Sequence, residues 1–361
     1  MNSIFVIAEA GVNHNGSPEL AFQLVDAAVA AGADAVKFQT FKAENLVTAT
    51  AGKADYQKQT TNAEESQFEM LKKLELDHQT HFELIKYCND RGIEFLSTAF
   101  DVESLHFLVN ALGLKILKIP SGEITNGPLL LEHAQTGCDL ILSTGMASLG
   151  EVEEALGVLA FGLLHGIAPD TSPTRKAFQQ AYCSERGQEI LKEKVTVLHC
   201  TTEYPAPHEE INLNAMVNMK DLFCLKTGYS DHSEGIIVPV AAVAKGAMLV
   251  EKHFTLDKTL PGPDHKASLN PEELKAMIDA IRIVELVMGS GVKRPMASEL
   301  SNRKVVRKSL VATKGIDEGD TFSSANVGVK RPGTGVSPME YWDTVGKKSQ
   351  SAYLEDEVLK W

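Results

Sequence analysis

Ile4-Phe5-Val6-Ile7-Ala8, then Ser17-Pro18-Glu19, then an amphipathic run closing at Gly32, then Ala35-Val36-Lys37-Phe38-Gln39, is the stretch that decides the fold. The first run is apolar and β-branched on both faces, as in a strand buried from both sides. Ser17 suits an N-cap, Pro18 the first helical position and Glu19 the positive helix end. Leu20, Leu24, Ala27, Ala28 and Ala31 recur on one helical face, and Gly32 supplies a stop. The second apolar run then reads as the next strand. One βαβ unit is complete within forty residues.

The same grammar repeats along the chain. Ile93 to Ser97 reads as a strand, with a helix expected from Asp101 to Gly113. Leu117 to Ile119 precedes a helix opening near Asn126 and Pro128 and ending at Gly137. Leu140 to Ser143 precedes the capping box Ser148-x-x-Glu151. Val195 to His199, Leu225 to Tyr229 and Met248 to His253 supply three further strands, and Asn270-Pro271-Glu272 starts a helix after the last. Eight strand candidates alternate with helices, which predicts a (β/α)8 TIM barrel, with a doubly wound open sheet as the alternative.

Two segments break the rhythm. Lys42 to Leu76 is polar and reads as a long loop with short helices over one barrel face. Gly166 to Lys194, with Pro169, Pro173 and many charges, reads as a surface insertion. The grammar changes near Gly289 to Pro295. We therefore expect a catalytic barrel over residues 1–290, a linker over 291–302 and a small β-rich module over 303–361. A module that short buries little core by itself.

The 361 residues carry 35 basic and 48 acidic side chains, a net charge of −13, with 43% apolar residues. This composition excludes disorder as the main state. The absence of a basic stripe argues against nucleic-acid binding. Met1 to Ala10 lacks a basic targeting region, and the longest apolar stretch, Gly235 to Val250, is broken by Lys245, so no membrane span is expected. Five scattered cysteines without a CxxC pair point to a reducing, cytoplasmic setting.

Barrel enzymes carry their reactive groups at the C-terminal strand ends. Those ends read Glu9, Lys37 and Gln39, Thr98, Lys118 with Ser121 and Glu123, Ser143, Tyr204, Ser230-Asp231-His232, and Glu251 with His253. His232 and His253 end consecutive strands and should converge. Two neutral imidazoles, completed by substrate or water oxygens, suit a divalent cation such as Mn²⁺, Mg²⁺, Co²⁺ or Zn²⁺. Lys37 and Lys118, with Ser121, Ser143 and Ser230, suit an anion carrying both phosphate and carboxylate, unless each lysine merely snorkels to solvent. Gly11-Val-Asn-His-Asn-Gly16 is followed by Ser17 and so is not a nucleotide P-loop.

At these residues the chain resembles the sialic acid synthase family. The matching stretches are Ala8-Glu9-Ala10-Gly11-Val12-Asn13-His14-Asn15-Gly16, Val36-Lys37-Phe38-Gln39-Thr40, Lys118-Ile119-Pro120-Ser121-Gly122-Glu123 and Leu142-Ser143-Thr144-Gly145-Met146. They continue through His199-Cys200-Thr201-Thr202-Glu203-Tyr204-Pro205, Tyr229-Ser230-Asp231-His232, Glu251-Lys252-His253-Phe254 and Pro261-Gly262-Pro263-Asp264-His265. Lys330-Arg331-Pro332-Gly333-Thr334-Gly335 resembles that family's antifreeze-like (SAF, β-clip) domain. The likeness is nearest to the bacterial N-acetylneuraminate synthases. Legionaminate synthases stand close behind and share Glu65-Ser66-Gln67.

The resemblance implies a metal-dependent condensation of phosphoenolpyruvate with N-acetylmannosamine, or alternatively with 2,4-diacetamido-2,4,6-trideoxymannose. It implies His232 and His253 as ligands of a divalent metal, Mn²⁺ foremost with Mg²⁺ or Co²⁺ as alternatives. Lys37, Thr98, Lys118, Ser121, Ser143 and Ser230 would bind phosphoenolpyruvate. Gln39, Tyr204 and Asp264 would face the sugar, and Glu9, Glu251 and Glu123 would serve catalysis. Arg331 would reach the partner's site in a domain-swapped homodimer. Competing readings are an aldolase or a 3-deoxy-octulosonate-type synthase on the same barrel, and a carbohydrate- or ice-binding protein suggested by the tail.

Overall fold

The computed structural model describes residues 3–48, 50–61, 65–166 and 172–361. Its eight major strands are β1 (Phe5–Gly11), β2 (Ala35–Thr40), β3 (Glu94–Ala99), β4 (Ile116–Ile119), β5 (Asp139–Ser143), β6 (Val195–His199), β7 (Lys226–Asp231) and β8 (Leu249–His253). They pair in sequence order, all parallel, and β8 pairs back onto β1, so the sheet is a closed barrel. The open-sheet alternative is excluded. All eight expected strands are present, with ends shifted by at most three residues and β6 matched at both ends.

Parallel neighbours need crossovers, and helices supply them. These are α1 (Pro18–Ala31), then α2 (Ala43–Leu46), α3 (Asp55–Thr60) and α4 (Gln67–Leu74) in the long polar segment, then α5 (His78–Arg91), α6 (Val102–His106), α7 (Gly127–Gln135), α8 (Leu149–His165), α9 (Arg175–Cys183), α10 (Glu185–Lys194), α11 (Leu213–Phe223), α12 (Ile237–Ala244) and α13 (Pro271–Val287). The expected signals act locally. Ser17 accepts from Leu20 N–H, Gly32 closes α1 in the left-handed region, and the boxes Ser148/Glu151 and Asn270/Glu273 open α8 and α13. Asn126 caps α7.

Two expectations are corrected. The single helix expected over Asp101 to Gly113 is α6 followed by a π-helical turn, Phe107–Ala111. The segment from Gly166 to Lys194 is not only surface. Pro169 lies outside the described residues, but α9 and α10 pack beside α8 and bury Ala181, Gly187 and Leu191. Their charged outer faces dominate the composition and hide a narrow inner stripe.

Two units divide the chain, Met1–Gly289 and Ser290–Trp361. Within the second, α14 (Ala297–Val306) is followed by β9 (Ser309–Ala312) and β10 (Val327–Lys330), which pair antiparallel, and by α15 (Tyr341–Thr344). Leu310, Ala312, Ile316, Phe322, Val327, Val336 and Leu359 form its own small core. No helix among the described residues is long and apolar enough to cross a membrane.

The pleat positions the site. Ile7, Ala35, Leu96, Ile141, Leu198 and Leu249, with Ile116 beside them, form an apolar cluster separate from the larger one on the helix side. In a strand, residues two apart share a face. Two residues further along those same strands stand Glu9, Lys37, Thr98, Ser143, Cys200, Glu251 and Lys118. An apolar floor is thus overlaid by a polar ring at the C-terminal end of the barrel.

Candidate active site

Neither lysine snorkels: Lys37 is 2% and Lys118 is 5% exposed. Lys37 Nζ lies 2.6 Å from Glu9 Oε2 and 3.6 Å from Glu251 Oε2, and donates to Thr98 Oγ1 at 2.8 Å. Lys118 Nζ donates to Glu251 Oε1 at 3.1 Å, and the Ser230 hydroxyl donates to the same oxygen at 2.8 Å. Glu251 therefore joins the two lysines. Strand register brings these groups level: Glu9 pairs with Lys37, Thr98 with Lys118 and Ser230 with Glu251.

The two carboxylates differ in charge state. Burial pushes Glu9 up to about 7, Lys37 opposes this, and nearby Glu251 adds to it. Burial alone would also raise Glu251, but Lys118 and Lys37, with the Ser230 hydroxyl, hold it well below the usual carboxylate range. For Lys37, the carboxylates of Glu251 and Glu9 outweigh a burial penalty and raise it. The same cavity thus holds one firmly ionised carboxylate and one able to exchange a proton near neutrality, which suits them to different tasks.

The histidines converge as expected, with ring centroids 5.6 Å apart. His232 Nδ1–H donates to the Thr201 carbonyl at 2.6 Å, which leaves Nε2 as the lone-pair nitrogen. Tyr204 OH donates to that nitrogen at 3.1 Å, and its ring packs against both imidazoles. His253 Nδ1 is buried without a hydrogen-bond partner, 3.9 Å from Asp264 Oδ2. Burial lowers His232 to about 4. It also lowers His253 strongly, aided by His232 and Lys37. Both rings are neutral at physiological pH. Burial raises Asp264 to about 6.

Among the described residues, no group of three or more His, Cys, Asp or Glu side chains gathers as a metal cage. Two neutral imidazoles, one with its second nitrogen anchored on a carbonyl and one with an orphaned nitrogen, still fit a cation whose other positions stay open to substrate oxygens.

The remaining expected residues sit around this centre. Ser143 is buried with an unpartnered hydroxyl. Ser121 Oγ lies 3.1 Å from Cys200 Sγ and accepts from Gly145 N–H at 3.1 Å. Gly145 is required for that approach, since a Cβ there would lie 2.1 Å from Thr202 Oγ1. A Cβ on Gly11 would stand 3.3 Å from His253 Cε1, 3.4 Å from Gln39 Nε2 and 3.4 Å from Glu9 Oε1, which places Gln39 close to His253 and Glu9. Glu123 does not join the ring; its Oε2 accepts from Asn126 Nδ2 at 2.7 Å, at the mouth of α7. Arg331 is exposed in the second unit. Sequence reasoning overlooked Thr201, Thr202 and Cys200 as wall residues. The clue to them was the polar run directly after β6.

This constellation can bind a phosphorylated carboxylate, polarise a carbonyl and move a proton. The chain is similar to known proteins over nearly its whole length. The NeuB family profile matches residues 24–293 and the SAF domain profile matches residues 307–361. N,N'-diacetyllegionaminic acid synthase of Campylobacter jejuni is 50% identical over 360 residues, covering 100% of both chains. The enzyme of the same name from Legionella pneumophila is 45% identical, covering 99% of this chain and 93% of its own. The crystal structure of N-acetylneuraminic acid synthetase from Leptospira borgpetersenii superposes with a TM-score of 0.67 at 32% identity, covering 83% of this chain and 90% of its own. With its (β/α)8 barrel and SAF module, the chain belongs to the NeuB family, that of the sialic acid synthases.

Proposed function

We propose that the protein condenses phosphoenolpyruvate with the open-chain aldehyde of 2,4-diacetamido-2,4,6-trideoxymannose and water, giving N,N'-diacetyllegionaminate and phosphate. The observation that carries the reaction class is the ring in which Lys37 and Lys118 flank Glu251, with two neutral imidazoles beside it. The choice of sugar is supported by the 50% and 45% identity to two diacetyllegionaminic acid synthases over essentially whole chains. N-acetylmannosamine, the sugar favoured by the motifs alone, is the second reading; the solved relative at 32% identity favours it.

Lys37 and Lys118, with the hydroxyls of Thr98, Ser121, Ser143 and Ser230, hold the phosphate and carboxylate of phosphoenolpyruvate. Gln39, Tyr204 and Asp264 orient the sugar so that its aldehyde carbon faces carbon 3 of phosphoenolpyruvate. A divalent cation on His232 and His253, Mn²⁺ foremost, would supply Lewis acidity at the aldehyde oxygen. As the carbon–carbon bond forms, positive charge grows at carbon 2, and ionised Glu251 stabilises it. Glu9 takes the proton from the water that adds there. The tetrahedral adduct expels phosphate by C–O cleavage as its carbon-2 hydroxyl gives up a proton to the leaving phosphate, and the proton taken by Glu9 returns to the former aldehyde oxygen, which becomes a hydroxyl.

Mass spectrometry of products from both sugars tests the substrate: legionaminate in excess supports the reading, and neuraminate alone overturns it. Bridging-oxygen-labelled phosphoenolpyruvate tests the route, since the label must leave with phosphate. We further infer a domain-swapped homodimer in which Arg331 meets the sugar's acetamido group in the partner copy. Arg331→Ala should then raise the sugar KM about tenfold, the size of one charge-assisted hydrogen bond, and leave the phosphoenolpyruvate KM alone. An unchanged sugar KM removes that role.

A further inference from the structure

Behind the two imidazoles, on the helix-facing side of the barrel, lies an ion pair the reaction does not use. Asp231 and Lys252 are the outward neighbours of His232 and His253 in sequence and are register partners across β7 and β8. Lys252 Nζ lies 2.6 Å from Asp231 Oδ2, and both side chains are 0% exposed. Lys252 also donates to the Ser233 carbonyl. Asp231 Oδ1 accepts from Ser233 N–H at 3.1 Å and from its hydroxyl at 2.8 Å. The pair therefore grips the residues on both sides of His232 and fastens them to the strand that carries His253.

Stability alone is a weak reason for such a pair. Removing two charges from water costs several kcal/mol, and apolar replacements of similar volume are often as stable. The pair sits against the main core beside Tyr229 and Val250, with the Tyr229 phenol and Ser233 as its polar neighbours. Position supplies the better reason. His232 has its own anchor in the Thr201 carbonyl, whereas His253 Nδ1 has no hydrogen bond and the ring has only packing on Tyr204 and His232, so its place depends more heavily on the backbone of β8.

We propose that Asp231 and Lys252 are a positioning pair that locks the ends of β7 and β8 together and thereby sets the separation of His232 and His253 for a divalent cation. The proposal rests on the metal reading of those histidines. It assigns the pair to geometry rather than to fold stability.

The test is Mn²⁺ binding to substrate-free protein, read from the electron paramagnetic resonance of free Mn²⁺, alongside thermal unfolding of the metal-free protein. The Asp231→Asn/Lys252→Met double variant removes both charges together. It should unfold close to the wild-type temperature while its Mn²⁺ affinity falls roughly 10–100-fold, the usual cost of losing outer-shell support. Ser233→Ala removes only one hydroxyl bond to Asp231 and serves if the double variant does not fold; its affinity should fall severalfold. A folded variant of either kind with wild-type Mn²⁺ affinity overturns the proposal. Wild-type protein that binds no Mn²⁺ at all overturns the metal reading and the proposal together, an outcome distinct from intact binding in the variants.

Discussion

The inside of this barrel has two levels, built on the same strands two residues apart. The floor, with Ile7, Ala35, Leu96, Ile141, Leu198 and Leu249, is apolar. The ring above it holds Glu9, Lys37, Thr98, Lys118, Ser143 and Glu251. Backbone and burial are alike, so the difference is one of chemistry. The floor gains free energy on leaving water, about 25 cal/mol per Å² of apolar surface. The ring loses it, and offsets the loss by matching two lysines against two carboxylates. The lesson is that function here occupies the level where the fold spends stability, and the level beneath supplies the rigidity.

That contrast makes sharp predictions. The largest effect should follow His253→Ala, which removes half of the imidazole pair. Turnover should become undetectable while the circular dichroism spectrum and unfolding temperature stay near wild type. Near-native turnover in chelator-treated variant would break the ligand assignment. Next comes Lys118→Met. Glu251 keeps Lys37 and Ser230, so the ring should hold together, but a charge aimed at the substrate is lost. We expect kcat/KM for phosphoenolpyruvate to fall about 10²–10³-fold, the scale of removing one preorganised electrostatic donor.

One level down, Leu96→Ala should do the opposite. A fully packed floor leucine leaves a cavity, and stability should drop by about 3 kcal/mol. The kcat measured well below the new unfolding temperature should change little. Urea unfolding and steady-state kinetics on Lys118→Met and Leu96→Ala together decide the matter. If Lys118→Met loses more stability than Leu96→Ala, or Leu96→Ala loses more activity, the division of labour between levels is wrong.

Much of this was readable in the residues, for a physical reason. A parallel strand buried on both faces must be apolar, so the single polar residues at strand ends stood out, and Lys37, Lys118, Glu251 and His253 were found that way. Capping chemistry marked α1, α8 and α13 because an uncapped helix end leaves donors unpaired. The π-helical turn at Phe107–Ala111 was missed because one inserted residue leaves the apolar period almost intact. The inner stripe of α9 and α10 was masked by charge on their outer faces. Which hydroxyl meets which carboxylate, and that Glu123 turns to Asn126 rather than to the ring, depends on three-dimensional approach and had no signature.

The last effect, which vanishes at neutral pH, concerns a buried polar group belonging to neither level. His133, in α7, is 0% exposed; its Nδ1 lies 2.8 Å from the Leu129 carbonyl and its Nε2 has no partner. Burial lowers it to about 4, against weaker opposition from that carbonyl and Glu132. Above the ordinary histidine value of about 6.5, folded and unfolded forms are both neutral and His133 adds no pH dependence. Below it, only the unfolded chain takes up the proton, so stability present above 6.5 is lost progressively as pH falls toward 4. The loss should total on the order of 3 kcal/mol. His133→Leu should flatten the stability curve between those limits by about that amount and leave activity at neutral pH unchanged, because no substrate-facing group touches it. Parallel urea-unfolding curves for wild type and variant at pH 7, 5.5 and 4 would remove His133 as a source of acid sensitivity and move it to the other imidazoles that burial holds neutral, His14, His232, His253 and His265.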